Sequence, residues 1–508
     1  MLSIYDEGPC PPCPLKFNLA GHVLGRADEL PDKTALNLIY PESNETWSYS
    51  QLKKAVLGTS AGLLKSGLLP GDRIVMRIGN TIEFPIAYLG AIAVGIVPIP
   101  TSPQLTESEV NRIISSSTPK AILHDLGVSC PQTSLNVIQL DALKSMRDLP
   151  PAKIATGNPN RLAYVIYTSG TSGTPRAVMH AHRAIWARQM MFEGWYGMTE
   201  TDRLLHAGAF NWTYTLGTGL MDPWTIGATA LIPGPGVDTS QLSRLMKRHK
   251  ATIFAAAPGV FRKILNIECA FDVPELRHGL SAGEKLPETI RKKWERATGR
   301  PIFEAYGMSE CSTFVSGSPD MPAHCGTLGR PQKGRRIAIV DAHGPVPLGN
   351  EGTIAIHRDD PGLMLGYHNA PDETSSRYIG DWFATGDQGA MDSDGSITYL
   401  GRADDMMNAG GYRVSPIEVE NVLNAHPGIS DSAVTDIEVK PDVRLVMAFY
   451  TGRDALPEHE LAEYASSRLA GYKCPRGYFH VDTLPTGANG KILRRQLRPI
   501  YGMLKSET

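Results

Sequence analysis

The chain has 508 residues, 42% of them hydrophobic and 20% charged. At roughly 100–200 residues per domain, that suits two to four folding units that can each bury a core. Fifty Lys and Arg against 52 Asp and Glu leave a formal net charge of −2, which excludes a global field that would draw the chain to nucleic acid or an anionic membrane. Seven scattered cysteines point to reduced thiols rather than a disulfide framework.

The segment Met1 to Glu7 has neither a basic region nor an apolar core, so it is not read as a secretory signal, and a cytoplasmic location is expected. Cys10-Pro11-Pro12-Cys13 has no second pair at metal-binding spacing and carries no assigned role. Arg73 to Ile78 reads as a strand, Phe84 to Val94 as a helix, Leu162 to Tyr167 as a strand, His182 to Trp195 as a helix and Thr252 to Ala256 as a strand. Strands alternating with helices predict an α/β architecture with largely parallel sheets. The apolar run from Ala209 to Ile232 is interrupted by Asn211, Asp222 and Pro223, which suits buried core or a pocket wall rather than a membrane span.

After Asp341 the strands shorten. Thr353–Ile356 and Ile397–Leu400, with the Asp394-Gly395 turn between them, predict an antiparallel or barrel-like subdomain. Ser415-Pro416-Ile417-Glu418 is expected to open a helix with Ser as N-cap, Pro at the first position and Glu closing a capping box. Strand Arg444–Tyr450 and helix Glu458–Leu469 then suggest a compact α+β unit. A domain boundary is therefore expected at about residue 402, between a large unit of residues 1–401 and a small one of 405–508.

The strongest chemical signal is Tyr167-Thr168-Ser169-Gly170-Thr171-Ser172-Gly173-Thr174-Pro175-Arg176. An apolar strand is expected to feed it and a helix to follow. Glycines let backbone N–H groups approach an anion, and the hydroxyls add donors, so it reads as a phosphate-cradling loop. It lacks the terminal Gly-Lys-Ser/Thr of a Walker A sequence.

That loop resembles the signature of the acyl-adenylate-forming superfamily, which includes acyl-CoA synthetases, peptide-synthetase adenylation domains and luciferases. Four further stretches resemble its motifs in order: Glu304-Ala305-Tyr306-Gly307-Met308-Ser309-Glu310, Thr385-Gly386-Asp387, Gly401 to Glu418, and Gly487-Ala488-Asn489-Gly490-Lys491. The match spans roughly residues 30 to 500. One departure is Arg176-Ala177 where the family usually shows Lys-Gly. Arginine keeps the charge but not the compact ammonium geometry.

The resemblance implies two α/β sheet subdomains and a barrel-like subdomain, joined by a hinge to a small α+β lid. It implies ATP, Mg2+ and coenzyme A. The carboxylate of an acid attacks the α-phosphorus of ATP, and a thiol then takes the acyl group from the acyl-adenylate. Thr168 to Thr174, Arg176, Ala282-Gly283-Glu284, Glu304, Ala305, Tyr306, Gly307, Asp387, Arg402 and Arg413 are thereby expected at the nucleotide. Tyr306 would stack on adenine and Asp387 would hold the ribose, although a turn-capping Asp is the plainer reading of that residue alone.

Glu310 is expected to bind magnesium and Ser309 to touch the α-phosphate. Lys491 would bridge the carboxylate and α-phosphate, a preorganised charge worth about 10²–10³ in rate. Asp404 would be the pivot, and Gly410 and Gly411 would line a thiol tunnel too narrow for side chains. Trp212, Tyr214, Gly283 and Met308 would line the acyl pocket, with core packing the alternative for Trp212. Asn211 stands where amino-acid-activating relatives have aspartate, so an uncharged aromatic or short-to-medium aliphatic acid is expected. The expected partners are a small carboxylic acid and CoA, with no nucleic acid and no membrane span, in a monomer or homodimer. Loading of a carrier-protein thiol and a non-catalytic nucleotide sensor stand as alternatives.

Overall fold

The computed structural model describes residues 1–168, 176–267, 270–403, 405–409, 412–440, 443–487 and 492–506, with the side chains of 408, 409, 412, 413, 440, 443 and 506 excepted. Ser169, Gly170, Thr171, Ser172, Gly173, Thr174, Asp404, Gly410, Gly411 and Lys491 lie outside the described residues, as does the Arg413 side chain.

The largest sheet has nine strands. Its middle runs through Thr34–Ile39, Thr229–Pro233, Arg203–His206, Ile253–Ala256, His278–Ala282 and Ile302–Met308, all paired in parallel. Both edges turn antiparallel, with Asn44–Ser48 at one side and Ser312–Ser316 at the other. These strands are continuous apolar runs because both faces are covered. One face packs with Phe261 and Trp294 of flanking helices. The other packs with Trp195, Tyr196 and Tyr214.

A second, four-stranded parallel sheet is built on Arg73–Arg77 and Ala121–His124. Helix Glu83–Ala93 is buried along its whole length, in line with its uniformly apolar sequence. A seven-stranded antiparallel sheet holds Glu351–His357, Trp382–Met391 and Ile397–Arg402. It also recruits Ile4–Asp6 from the N-terminus.

Two expectations are corrected. The segment after residue 175 is a strand, Arg176–Ala181, paired antiparallel with Leu162–Thr168 on one side and Gly366–Tyr367 on the other. The expected helix His182–Trp195 begins two residues later and is interrupted, with α-helix Ala184–Ala187 followed by a π-helical segment at Phe192–Tyr196. Ladder bonds from two neighbours hold Arg176–Ala181 extended, so this sheet is antiparallel and a strand, not a helix N-terminus, leaves the loop.

The second correction concerns Ser415. Its side chain does accept from the Glu418 N–H, and Pro416 opens helix Pro416–Leu423. The Glu418 carboxylate does not close the box, and instead takes the Lys473 ammonium at 2.6 and 2.8 Å. The charged partner is the stronger acceptor interaction.

The C-terminal segments build cores of their own. Met407, Val419, Leu461 and neighbours form one, and Phe449, Leu497 and Tyr501 belong to another. Arg262, on helix Pro258–Ile267, reaches Asp431 of this unit at 2.7 Å. Among the described residues no helix is long and apolar enough to cross a membrane. The Ala209 to Ile232 run folds as a short turn, a π-helical segment at Thr215–Met221 that continues into helix Asp222–Ile226, and the start of a sheet strand.

Candidate active site

The parallel strands of the large sheet end on one side, where loops carry chemistry in folds of this kind. Ala282-Gly283-Glu284 leaves strand His278–Ala282 there, and Tyr306-Gly307-Met308 closes strand Ile302–Met308. Gly283 has φ +101, and a Cβ added to it would lie 3.0 Å from the Trp212 ring. Only glycine combines that backbone with so close an indole. Trp212 is half-exposed over Gly283 and also packs on a buried cluster.

Tyr306 reaches across to the antiparallel sheet. Its hydroxyl donates to Asp387 Oδ2 at 2.5 Å. Tyr399 donates to the other carboxylate oxygen at 3.5 Å, and Arg402 lies 3.4 Å from it. Burial, followed by the charge of Asp387, raises the Tyr306 hydroxyl well above the usual tyrosine range, so it stays a proton donor. The Tyr306 ring packs edge-on against Phe314 and beside Tyr399. Asp387 is thus a buried carboxylate fixed from three sides at the strand end that Thr385-Gly386 prepares.

Glu310 follows the turn. It is 8% exposed, and Tyr367 donates its hydroxyl to Oε1 at 2.6 Å. Tyr367 sits in the short strand beside Val178. The Arg176 guanidinium lies 5.5 Å from the Tyr367 ring centroid and pairs with Glu373 at 2.5 Å. Arg176 also faces Thr168 across the base of the phosphate-loop hairpin. One chain of contacts therefore links the loop's base to Glu310, through a tyrosine that no motif marks. Glu373 occupies the guanidinium, which fits a positioning part for Arg176.

The backbone of Ser309 is anchored by His180, whose Nε2 lies 2.8 Å from the Ser309 carbonyl. Burial pushes the His180 imidazole down to about 4. It is neutral at pH 7, with Nε2–H as donor. Beneath the turn, Arg188 and Asp222 form a buried pair at 2.6 Å, and Arg188 also donates closely to the Ser312 hydroxyl. Ser312 has φ +66, a conformation that surrounding contacts must hold.

Glu304 differs from its neighbours in the motif. Its carboxylate takes the Leu286 N–H at 2.7 Å and the Lys285 and Arg291 cations at 3.2 Å. With 2% exposure its side chain braces the Gly283–Leu286 turn, and it does not face the cleft. Ala305, Gly307 and Met308 continue the strand toward Ser309. Tyr214 is buried, and its hydroxyl donates to Leu280 O at 3.2 Å.

A magnesium ion carried by nucleotide phosphates needs only one or two protein carboxylates. Glu310 fits that demand, being a single oriented carboxylate at the turn. Among the described residues no set of three or more His, Cys, Asp or Glu side chains forms an all-protein metal cage.

Known proteins resemble this chain in sequence and fold. The profile of the family described as AMP-binding enzyme matches residues 25–368, and that of the AMP-binding enzyme C-terminal domain matches 418–491. The chain is 29% identical to benzoate–CoA ligase of Thauera aromatica, covering 98% of this chain and 99% of that one. It is 29% identical to the 3-hydroxybenzoate–CoA/4-hydroxybenzoate–CoA ligase of the same organism, covering 95% and 97%. Among solved structures it resembles the anthranilate CoA ligase AuaEII in complex with anthranoyl-AMP, with a TM-score of 0.85, 25% identity, and 97% and 99% coverage.

Proposed function

The chain belongs to the AMP-binding enzyme family, and on that premise we propose that it joins an aromatic carboxylic acid to coenzyme A with cleavage of ATP to AMP and pyrophosphate. It is an AMP-forming acid–thiol ligase. One observation carries the assignment. The Tyr306–Glu310 turn is tied at one end to Asp387, 81 positions away, and at the other to the base of the phosphate-loop hairpin through Tyr367 and Arg176. Three distant motifs are thereby tied into one network of contacts, which supports the reading.

In the first half-reaction the substrate carboxylate attacks the α-phosphorus of ATP, and pyrophosphate leaves. Positioning and neutralisation of charge supply most of the rate. Asp387 presents its carboxylate to the ribose hydroxyls from a fixed site. Glu310 would hold magnesium, which when bound would neutralise phosphate charge. Ser309 and the Thr168–Thr174 loop face the phosphates, and Arg176 orients the loop's base. In the second half-reaction the thiol attacks the acyl carbonyl, and AMP leaves.

Residues 405–508 act as the mobile lid and 402–404 as its hinge. Support comes from the separate cores of the C-terminal unit. Arg402 rests on Asp387, and Ser415 donates to Leu400 O at 2.5 Å, so the nucleotide cleft and the lid meet at this point. Lys491 enters for adenylation and withdraws for thioester formation, when Gly410 and Gly411 admit the thiol and Arg413 steadies phosphate. The acyl group lies on the Trp212, Tyr214 and Gly283 side, and no charge is required of it there.

The test is AMP release and thioester formation with benzoate, hydroxybenzoates, short-chain and medium-chain acids, each with CoA, with a phosphopantetheinylated carrier protein, and with neither. Aryl-CoA formed in step with AMP is the expected result. Thioester only on carrier protein, or no acid-dependent AMP, would overturn the reading. Lys491→Ala is expected to abolish adenylation and spare thioester formation from presynthesised acyl-AMP. Equal loss of both would refute the lysine's role.

A further inference from the structure

His206 ends its strand on the face of the large sheet that carries Ala255, Leu280, Ala282 and Ala305. Its side chain is fully buried, and neither ring nitrogen has a hydrogen-bond partner among the described residues. Thr215 is also fully buried, and its hydroxyl is likewise unpartnered. The two converge. A Cβ added to Gly208 would lie 2.2 Å from Thr215 Oγ1 and 3.0 Å from His206 Nδ1. Buried polar atoms nearly always find partners, so two such residues converging on one glycine point to a partner that arrives with a ligand.

The surroundings say which ligand. Tyr214 meets the imidazole edge-on at 4.4 Å, Trp212 at 6.4 Å, and the two aromatic rings are mutually perpendicular at 5.1 Å. Alanine at 255, 282 and 305 leaves that face of the sheet low. Gly208 and Asn211 to Thr213 are half-exposed and Gly283 is exposed, so residues in contact with the buried pair reach the surface on this side. Flat apolar walls suit an aromatic ring. Burial pushes His206 down to about 3, so the end of the slot is neutral. A second carboxylate would find no cation there, whereas a hydroxyl can donate to an imidazole nitrogen and accept from Thr215.

Resting on the ligase reading above, we propose that His206 and Thr215 are the specificity-determining end of the acyl pocket, and that they select an arylcarboxylate bearing an uncharged hydrogen-bonding ring substituent, a phenolic hydroxyl above all.

The test compares kcat/KM for benzoate with that for 2-, 3- and 4-hydroxybenzoate in wild type, His206→Phe and Thr215→Val. Wild type is expected to favour one hydroxybenzoate over benzoate. That ratio should fall about 10-fold or more in each variant, because the ring hydroxyl then lacks a partner. The fall should appear mainly as a raised KM for the hydroxylated acid, which general destabilisation would not single out. Thr215→Val is isosteric and carries the test alone if His206→Phe does not fold. A wild-type preference for benzoate over all three hydroxy acids, or an unchanged ratio in Thr215→Val, would overturn the assignment. Failure of every acid to release AMP would instead overturn the ligase reading.

Discussion

The two ends of the cleft are built on opposite terms. At the nucleotide end the charged groups are already held: Asp387 by two tyrosines and Arg402, Glu310 by Tyr367. At the proposed acyl end the His206 ring nitrogens and the Thr215 hydroxyl are buried without hydrogen-bond partners among the described residues. Every substrate shares the nucleotide, so its site is preorganised, and preorganised charge stabilises a transition state without reorganisation. The acid is what distinguishes one ligase from another, and its end of the cleft is completed by the substrate.

Breaking the nucleotide end should have the largest effect. Glu310→Gln removes the carboxylate charge in nearly the same volume, and the adenylation rate is expected to fall on the order of 10²-fold, read by acid-dependent ATP–pyrophosphate exchange. Tyr306→Phe removes one donor from a buried carboxylate. The KM for ATP should rise roughly 10-fold with little change in the KM for the acid. Equal changes in both would mean that Tyr306 supports the whole cleft and not Asp387.

The same contrast extends to pH. Burial lowers His180 and His278 to about 4 and His206 to about 3, against about 6.5 in the unfolded chain. Between those values the unfolded chain binds protons that the native state refuses. Stability is therefore full above pH 6.5 and falls as pH drops toward 4. At pH 5 the loss is on the order of 1–2 kcal/mol for each histidine, read as a lower urea midpoint. The smallest effect is expected between the units. Arg262→Ala breaks the pair with Asp431, and both half-reactions should change less than about threefold, as a partly exposed ion pair allows. A larger change confined to one half-reaction would show that this contact sets the lid's position.

The hydroxyl-rich loop was legible from its residue types, whereas Glu310 and Asp387 were singled out by the family resemblance, Asp387 alone reading as a turn cap. Their supports were not. Tyr367, Tyr399 and His180 reach the site through pairings 57, 12 and 129 positions long, and neither periodicity nor composition records such contacts. Glu304 was misplaced for the same reason, since its Lys285, Leu286 and Arg291 donors come from the preceding strand's exit and helix. The helix expected at His182–Trp195 begins only at Ala184, because Arg176–Ala181 is first held extended by ladder bonds to residues 162–168 and 366–367. His206 carried one available signal, a histidine closing an apolar strand, but its lack of partners shows only in three dimensions.

The most direct measurement of the central claim is ATP–pyrophosphate exchange without CoA across a panel of arylcarboxylates. The account predicts exchange that requires both the acid and magnesium and that nearly disappears in Glu310→Gln. Exchange independent of any acid, or none with any acid tried, would contradict it.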